Sequence, residues 1–308
     1  MVNANLLRRS EATTFAPCNV TAFFVPNIQP KEPQRTGSWG AGMCLGTGVV
    51  ATVEAEEADQ GSIGVTRRHG DGDAKVTREA LRQLLGDRPI EVSCTVTEGA
   101  PEGQGFGVSG ASALSAAFAL ARCLGEGRSR AMKAAHLAEV RHRTGLGDVV
   151  SSFLGGAVLR TSPGIAPYGS QKRLPAKGDV VAVTVGEDLD TDALLRDEAV
   201  MERVTEVGSD CTESVAENPS LESIFQAGAH FTRETGLVDD EVLTAIDVAR
   251  EGGQAMAAML GNTVIAYGET ETLVDVLSAH GDPSVIPLDE QGLRLFDKDK
   301  LDEALGGR

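Results

Sequence analysis

An α+β fold in two domains is what the 308-residue sequence predicts, and three observations predict it. Strand-like and helix-like patterns occur in both halves of the chain. A glycine-crowded turn, Pro101 to Leu120, runs without a break into an alanine-rich helix. A polar connection containing proline and glycine, Pro167 to Lys177, separates the halves, so the expected domains are residues 1–168 and 169–308. A chain of this length is sufficient for two substantial cores.

Taken in order, Ala12 to Val25 is rich in Thr, Val and Phe and predicts a strand with a bend at Pro17. The following PNIQPKEPQRTG carries three prolines and reads as an exposed loop. Gly37 to Glu54 ends in a Val-Val-Ala-Thr-Val strand whose glycines permit close backbone approach. Gly61 to Val65 and Ile90 to Val96 are further strands, with a short amphipathic helix from Val76 to Leu85, capped near Thr77, between them.

The turn at Pro101 is built to hold an anion. Gly103, Gly105, Gly107 and Gly110 permit positive φ angles and close approach to a ligand, and Ser109 or Ser112 is placed to cap the helix that follows. That helix presents unpaired N–H groups and its positive dipole end to the loop, where phosphate is the usual guest. Gly105, Gly107 and Gly110 formally match G-x-G-x-x-G, but the second strand and acid of a dinucleotide fold do not follow, because Ser129 to Arg143 reads as a helix. A Walker loop is excluded because no Gly-Lys-Ser/Thr follows the glycines.

The two helices expected at about 110–123 and 130–143 are followed by an acid in a glycine-flanked turn. His136 and Glu139 share one face of the second helix, with Ala135, Leu137 and Val140 available to the core; Glu139 also has an ordinary ion-pair spacing to Arg143. Asp148, in Thr-Gly-Leu-Gly-Asp, either caps the next helix or supplies a carboxylate for chemistry. Phosphoryl transfer needs one carboxylate to position a hydroxyl and another to hold magnesium, and Ser109, Glu139 and Asp148 form a suitable set. Arg160, on the strand after Gly155, is either a surface residue or the counter-charge to a substrate carboxylate. The second half predicts a strand at Asp179 to Val185, a turn into Thr191 to Leu195, and helices at about 218–235 and 239–252. Gln254 to Gly268 reads either as a buried helix running into a strand or as a third glycine-containing motif, and short elements at 271–280, 283–287 and 293–296 complete the domain.

Composition bounds the function. Forty-five acids against 28 bases give a net charge of −17, which repels nucleic acid and anionic membranes and predicts neither as a partner. The acids are spread along the chain, a pattern that suggests a halophile's protein, since molar salt shortens the Debye length to about 3 Å. No apolar run is long enough to span a bilayer, and no apolar stretch follows the N-terminal arginines, so a cytoplasmic location is expected. Five cysteines without C-x-x-C spacing predict free, mostly buried thiols.

The stretch Pro101-Glu-Gly-Gln-Gly-Phe-Gly-Val-Ser-Gly-Ala-Ser-Ala resembles the ATP-phosphate loop of the GHMP kinase superfamily, in which proline and a few residues precede Gly-Leu-Gly-Ser-Ser. Ala16-Pro-Cys-Asn-Val-Thr-Ala-Phe-Phe24 is similar to the Ala-Pro-Gly-His-Ile-Thr-Gly-Phe-Phe of its archaeal pantoate kinase branch, with Cys18 and Asn19 departing from Gly-His. Gly37 to Gly42 and the Met-Leu-Gly-Asn-Thr-Val within Met256 to Ala266 continue that likeness, so it spans nearly the whole chain. The resemblance implies a two-domain GHMP fold with the ATP site and substrate cleft between the domains, and an ATP- and magnesium-dependent (Mg2+) kinase acting on pantoate. It implies ATP phosphates over Gly103, Gly105, Phe106, Gly107, Val108, Ser109, Gly110, Ala111 and Ser112. It further implies magnesium and phosphate at Ser109 and Glu139, the substrate hydroxyl at Asp148, pantoate contacts at His136, Arg160 and Thr191, and a homodimer. Mevalonate or homoserine as acceptor, or a non-catalytic ligand sensor, are the alternatives.

Overall fold

The computed structural model describes residues 9–70, 72–186 and 197–298. Its first half is organised on one long antiparallel hairpin, β1 (Arg9–Asn27) and β2 (Gly37–Glu57), joined by the proline-containing loop. Both strands are buried over most of their length and rich in Val, Thr, Phe and Ala, the residues that fit a pleated, enclosed surface. The register slips between Pro17 and Asn19 and again between Thr21 and Phe23. The first slip is the bend expected at Pro17, which cannot donate to the ladder.

A seven-stranded sheet grows from this hairpin. β3 (Ser62–Arg67) pairs parallel with β4 (Ile90–Glu98), and β4 pairs with β2. β5 (Ala157–Ser162) and β6 (Ser170–Leu174) extend the other end of β2. Against it pack α1 (Lys75–Leu85), α2 (Val108–Cys123), α3 (Arg128–His142) and the short α4 (Asp148–Leu154). None of the three capping expectations holds. The residue preceding α1 is Ala74 and that preceding α2 is Gly107, neither with a side-chain cap, so Thr77, Ser109 and Ser112 lie inside their helices. Gly147, not Asp148, occupies the cap position of α4.

The second sheet is four-stranded and antiparallel, in the order β10, β7, β9, β8. Its strands are β7 (Asp179–Thr184), β8 (Gly253–Ala257), β9 (Thr263–Gly268) and β10 (Ser284–Pro287). Gln254 to Tyr267 is thus a hairpin, which overturns the helix-into-strand reading; Ala255, Met256 and Ala257 are buried by strand pairing. Helices α5 (Glu198–Glu217) and α6 (Leu221–Thr235) pack on each other and on β1, while α7 (Asp240–Val248) and α8 (Thr270–Leu277) flank the sheet. α5 has no counterpart in the sequence reading, although Val200, Val204, Gly208, Cys211 and Val215 form a buried stripe at helical spacing. The final strand, β11 (Arg294–Leu295), returns to β1 in the first sheet.

One continuous apolar core runs through both sheets. Its hinge is aromatic: Phe231 of α6 lies 6.5 Å from Phe23 and 5.7 Å from Phe24 of β1, ring centre to ring centre. All five cysteines are free and buried, as the spacing predicted. Among the described residues no helix is long and apolar enough to cross a membrane.

Candidate active site

The glycine turn adopts the backbone its sequence demands. Gly103, Gly105 and Gly107 have φ of 81°, 87° and 62°, the left-handed region that glycine enters freely. Gly110 differs from the expectation: it lies inside α2, and its lack of a side chain matters because a Cβ would stand 3.0 Å from Glu139 Oε2. Two motifs distant in sequence close on this turn. The backbone N–H of Asn19 donates to the Phe106 carbonyl at 3.1 Å. Gly261, in the β8–β9 connection, abuts Gln104 and Gly105 so closely that a Cβ would collide with them, and Met259 N donates to Thr21 O at 2.9 Å. The third glycine motif is therefore part of the site.

A cleft of about 610 Å³ opens over the turn and the start of α2. Gly103, Gly105, Phe106, Gly107, Val108, Ser109 and Ser112 face it, as do Asp148 and Arg160; Ala111 is fully buried behind them. Asp148 is fixed from β1: its Oδ1 accepts from Asn19 Nδ2 at 2.7 Å and from Thr21 Oγ1 at 3.2 Å. A Cβ on Gly107 would sit 3.3 Å from the Asp148 Cβ and Cγ, so the carboxylate rests against the glycine turn. This engagement replaces the capping role open to Asp148 in the sequence.

Glu139 is 2 % exposed and accepts hydrogen bonds from Ser109 and, at 3.0 Å, from Thr144 Oγ1. It makes no ion pair with Arg143, which instead closes α3 in a left-handed conformation. Burial, reinforced by the neighbouring Asp148, pushes the Glu139 carboxyl up to about 8. Ser109, Glu139 and Asp148, 39 positions apart at their extremes, thus form one contiguous group.

Arg160 is 2 % exposed, donates to Ser151 Oγ at 2.9 Å and Ser38 Oγ at 3.4 Å, and leaves Nε without a partner. Burial lowers its pKa, opposed by the nearby Asp148. His136 does not line the cleft. Its ring is buried near the Pro33 and Thr36 carbonyls, and burial drives its pKa down to about 4. It is neutral near pH 7, with Nε2 lacking a hydrogen-bond partner among the described residues, so it carries no counter-charge for a substrate carboxylate. The α3 face toward the core is Ala131, Ala134, Ala135 and Ala138, with Leu137 and Val140 only half-buried. Thr191 lies outside the described residues. Asn19, Thr21 and Ser38 are site residues that the sequence reading did not assign; the likeness of Ala16 to Phe24 and Gly37 to Gly42 to family motifs was the available signal.

A glycine turn on a helix N-terminus, a buried carboxylate behind it that accepts from hydroxyls and a second carboxylate resting against the turn are the kinds of group a phosphoryl-transfer site uses. Residues 74–156 match the GHMP kinases N terminal domain. The chain is an ATP-dependent small-molecule kinase of the GHMP superfamily. It is 30% identical over 276 residues to the pantoate kinase of Methanocaldococcus jannaschii, covering 88% of this chain and 98% of that one. To the pantoate kinase of Thermococcus kodakarensis it is 33% identical, covering 77% and 79%. A solved phosphotransferase related to the CoA biosynthesis pathway superposes with a TM-score of 0.84 at 26% identity, over 93% of this chain and 99% of that one. The chain belongs to the pantoate kinase family.

Proposed function

We propose that this chain transfers the γ-phosphoryl group of ATP to the primary hydroxyl of pantoate, forming 4-phosphopantoate for coenzyme A synthesis. The observation that carries the reading is the placing of Asp148: one carboxylate oxygen is engaged by Asn19 and Thr21, and the group lies on the cleft wall against the phosphate-binding turn. A carboxylate so held orients an alcohol towards the phosphates and accepts its proton. The pantoate oxygen bonds to the γ-phosphorus as the bond from that phosphorus to the β–γ bridging oxygen breaks. The bonding pair leaves with ADP, and the hydroxyl proton passes to Asp148.

The turn from Gly103 to Gly107 and the first N–H groups of α2, Val108 to Gly110, face the phosphates, with Ala111 N already donating to Gly107 O within the helix. Arg160, charged at all working pH and with its Nε free, is the counter-charge for the pantoate carboxylate. Ser109 and Glu139 would hold a magnesium ion together with the nucleotide. One hydroxyl and one carboxylate are the donors such an ion takes when phosphates and water complete its shell. Glu139 fits this role because a divalent cation offsets both its burial and the like charge of Asp148. When bound, the ion neutralises charge on the transferring phosphates.

The test is ADP release in molar KCl with magnesium and ATP, offering pantoate, pantothenate, mevalonate and homoserine in parallel. Turnover with pantoate alone is expected, and should vanish in Asp148→Ala with ATP binding retained. Turnover of a different alcohol would overturn the substrate, and silence from folded protein with all four would favour a ligand sensor.

A further inference from the structure

The cleft wall is electrically balanced within a strongly acidic chain. Four cations face it, Arg67, Lys75, Arg143 and Arg160, and four anions, Asp73, Glu98, Glu102 and Asp148. Arg67 is neutralised by Glu98 at 2.7 Å and Glu102 at 3.0 Å. Arg160 is buried among serines. Arg143 pairs with no carboxylate among the described residues, and its side chain is exposed to the cleft.

Its backbone is as informative as its charge. Arg143 ends α3 at φ 58° and ψ 36°, with its N–H donating to the carbonyls of Glu139 and Val140. Among the described residues only Leu260 is another non-glycine with positive φ. Glycine is the residue this conformation favours, so nothing in the backbone calls for arginine. A long cationic side chain at a position that favours glycine points to a use for the side chain. The location narrows that use. Thr144, the next residue, donates to Glu139 Oε1 at 3.0 Å, and Ser109 donates to the same carboxylate. A Cβ on Gly145 would strike Glu139 Oε2, and one on Gly110 would stand 3.0 Å from it. One carboxylate therefore clasps the loop from Arg143 to Asp148 onto the first turn of α2, and Arg143 lines the same cleft as the phosphate turn and Asp148.

We infer that Arg143 is a catalytic residue whose guanidinium closes on the transferring phosphoryl group, adding to the phosphate-binding turn a guanidinium fork that no carboxylate among the described residues neutralises. A planar fork of N–H donors matches phosphoryl oxygens, and a charge aimed where negative charge develops acts on kcat more than on binding. The inference rests on the kinase reading but not on which alcohol is the acceptor.

The test is the variant Arg143→Gly, with Arg143→Asn and Arg143→Lys beside it, each assayed on the acceptor that the wild type phosphorylates. Glycine and asparagine both accept the left-handed conformation, so removing the charge relaxes the backbone. The expected result is a kcat about 100-fold lower in the glycine and asparagine variants, the size seen when one transition-state donor is lost. Melting temperature should be equal to or above wild type, and millimolar guanidinium should restore part of the rate in Arg143→Gly. Lysine, a point charge without the fork, should retain an intermediate rate. A glycine variant within about threefold of the wild-type kcat would overturn the inference, since that is far below the loss of such a donor. So would joint loss of stability and rate in both the glycine and asparagine variants, unmoved by guanidinium, because the arginine would then be holding the loop. Wild-type silence on pantoate with turnover of another alcohol would sink the substrate assignment while leaving Arg143 to be judged on that alcohol.

Discussion

Replacing Asn19 by alanine should slow turnover roughly tenfold or more while leaving ATP binding close to wild type. The side chain is completely buried and its Nδ2 donates to Asp148 Oδ1 at 2.7 Å, a charge-assisted bond. Hydrogen bonds to charged groups contribute about 1.5–3 kcal/mol, and removing a donor leaves the acceptor to find another. Each 1.36 kcal/mol is tenfold in rate, so complete loss in the transition state corresponds to about 10- to 150-fold. Two features pull the value to the low end. Thr21 Oγ1 still donates to the same oxygen at 3.2 Å, and Asn19 Oδ1 has no partner, so its removal relieves a buried, unsatisfied acceptor. The main-chain bond from Asn19 N to Phe106 O survives the substitution, so the phosphate turn keeps its anchor.

The assay is steady-state ADP release with both substrates varied. The expectation is a fall in kcat of about 10- to 30-fold, following from the surviving Thr21 bond, with the KM for ATP little changed. Thr21→Val alone should cost less, and the double variant Asn19→Ala/Thr21→Val should cost more than the two single effects combined, because each donor partly covers for the other. Strict additivity, or a kcat for Asn19→Ala equal to wild type, would refute the idea that two donors on one oxygen position the acceptor carboxylate.

Glu139→Gln should abolish turnover yet stabilise the free protein above pH 8. The folded carboxyl holds its proton up to about 8 against an ordinary 4.5, so the folded state binds the extra proton and stability declines as pH rises through that window; thermal melts from pH 5 to 9 would show the decline flattened in the variant. His136 acts in the opposite sense: its folded pKa near 4 lies below the ordinary 6.5, so stability is complete above pH 6.5 and is lost as pH falls towards 4, by about 3 kcal/mol. His136→Gln should remove that acid-side slope in urea titrations at pH 4.5 and 7, and an unchanged slope would place the loss elsewhere. With a net charge of −17, the melting temperature should rise steeply between low-salt buffer and molar KCl; a flat profile would rule out the halophilic reading.

The phosphate turn was legible in sequence because its signal is local. Positive φ at alternating positions can be met cheaply only by glycine, and the chain shows it at Gly103, Gly105 and Gly107. Glu139 and Asp148 were legible as candidates because phosphoryl transfer needs two carboxylates and the chain's motifs resemble the family's. Their partners were not, since Asn19 meets Asp148 across 129 positions and Gly261 meets Gln104 only after both halves have folded. Local periodicity carries no information on such pairings. It also left open Gln254 to Tyr267, an apolar run whose length suits a helix but whose Val264, Ile265 and Tyr267 pair in a hairpin once β7 is present to receive β9. α5 escaped notice for a different reason: its buried face includes Gly208, Cys211 and Thr212, small or polar residues that dilute the apolar stripe. Gly208 is required there because a Cβ would press on Val25 and the Phe24 carbonyl of β1.

The alanine content of α2 and α3 links composition to chemistry. Ala111, Ala113, Ala116 and Ala117 on one helix and Ala131, Ala134, Ala135 and Ala138 on the other are all buried, and helices bearing small residues approach more closely than those bearing leucine or phenylalanine. That closeness is what lets the short carboxylate arm of Glu139 reach across to Ser109 and lie over Gly110. Gly110→Ala would set a methyl 3.0 Å from Glu139 Oε2 and force the carboxyl to shift by a few tenths of an ångström. The same close packing keeps the site dry enough to hold the Glu139 carboxyl near 8. A thin alanine seam thus buries the Glu139 carboxyl over the first turn of α2.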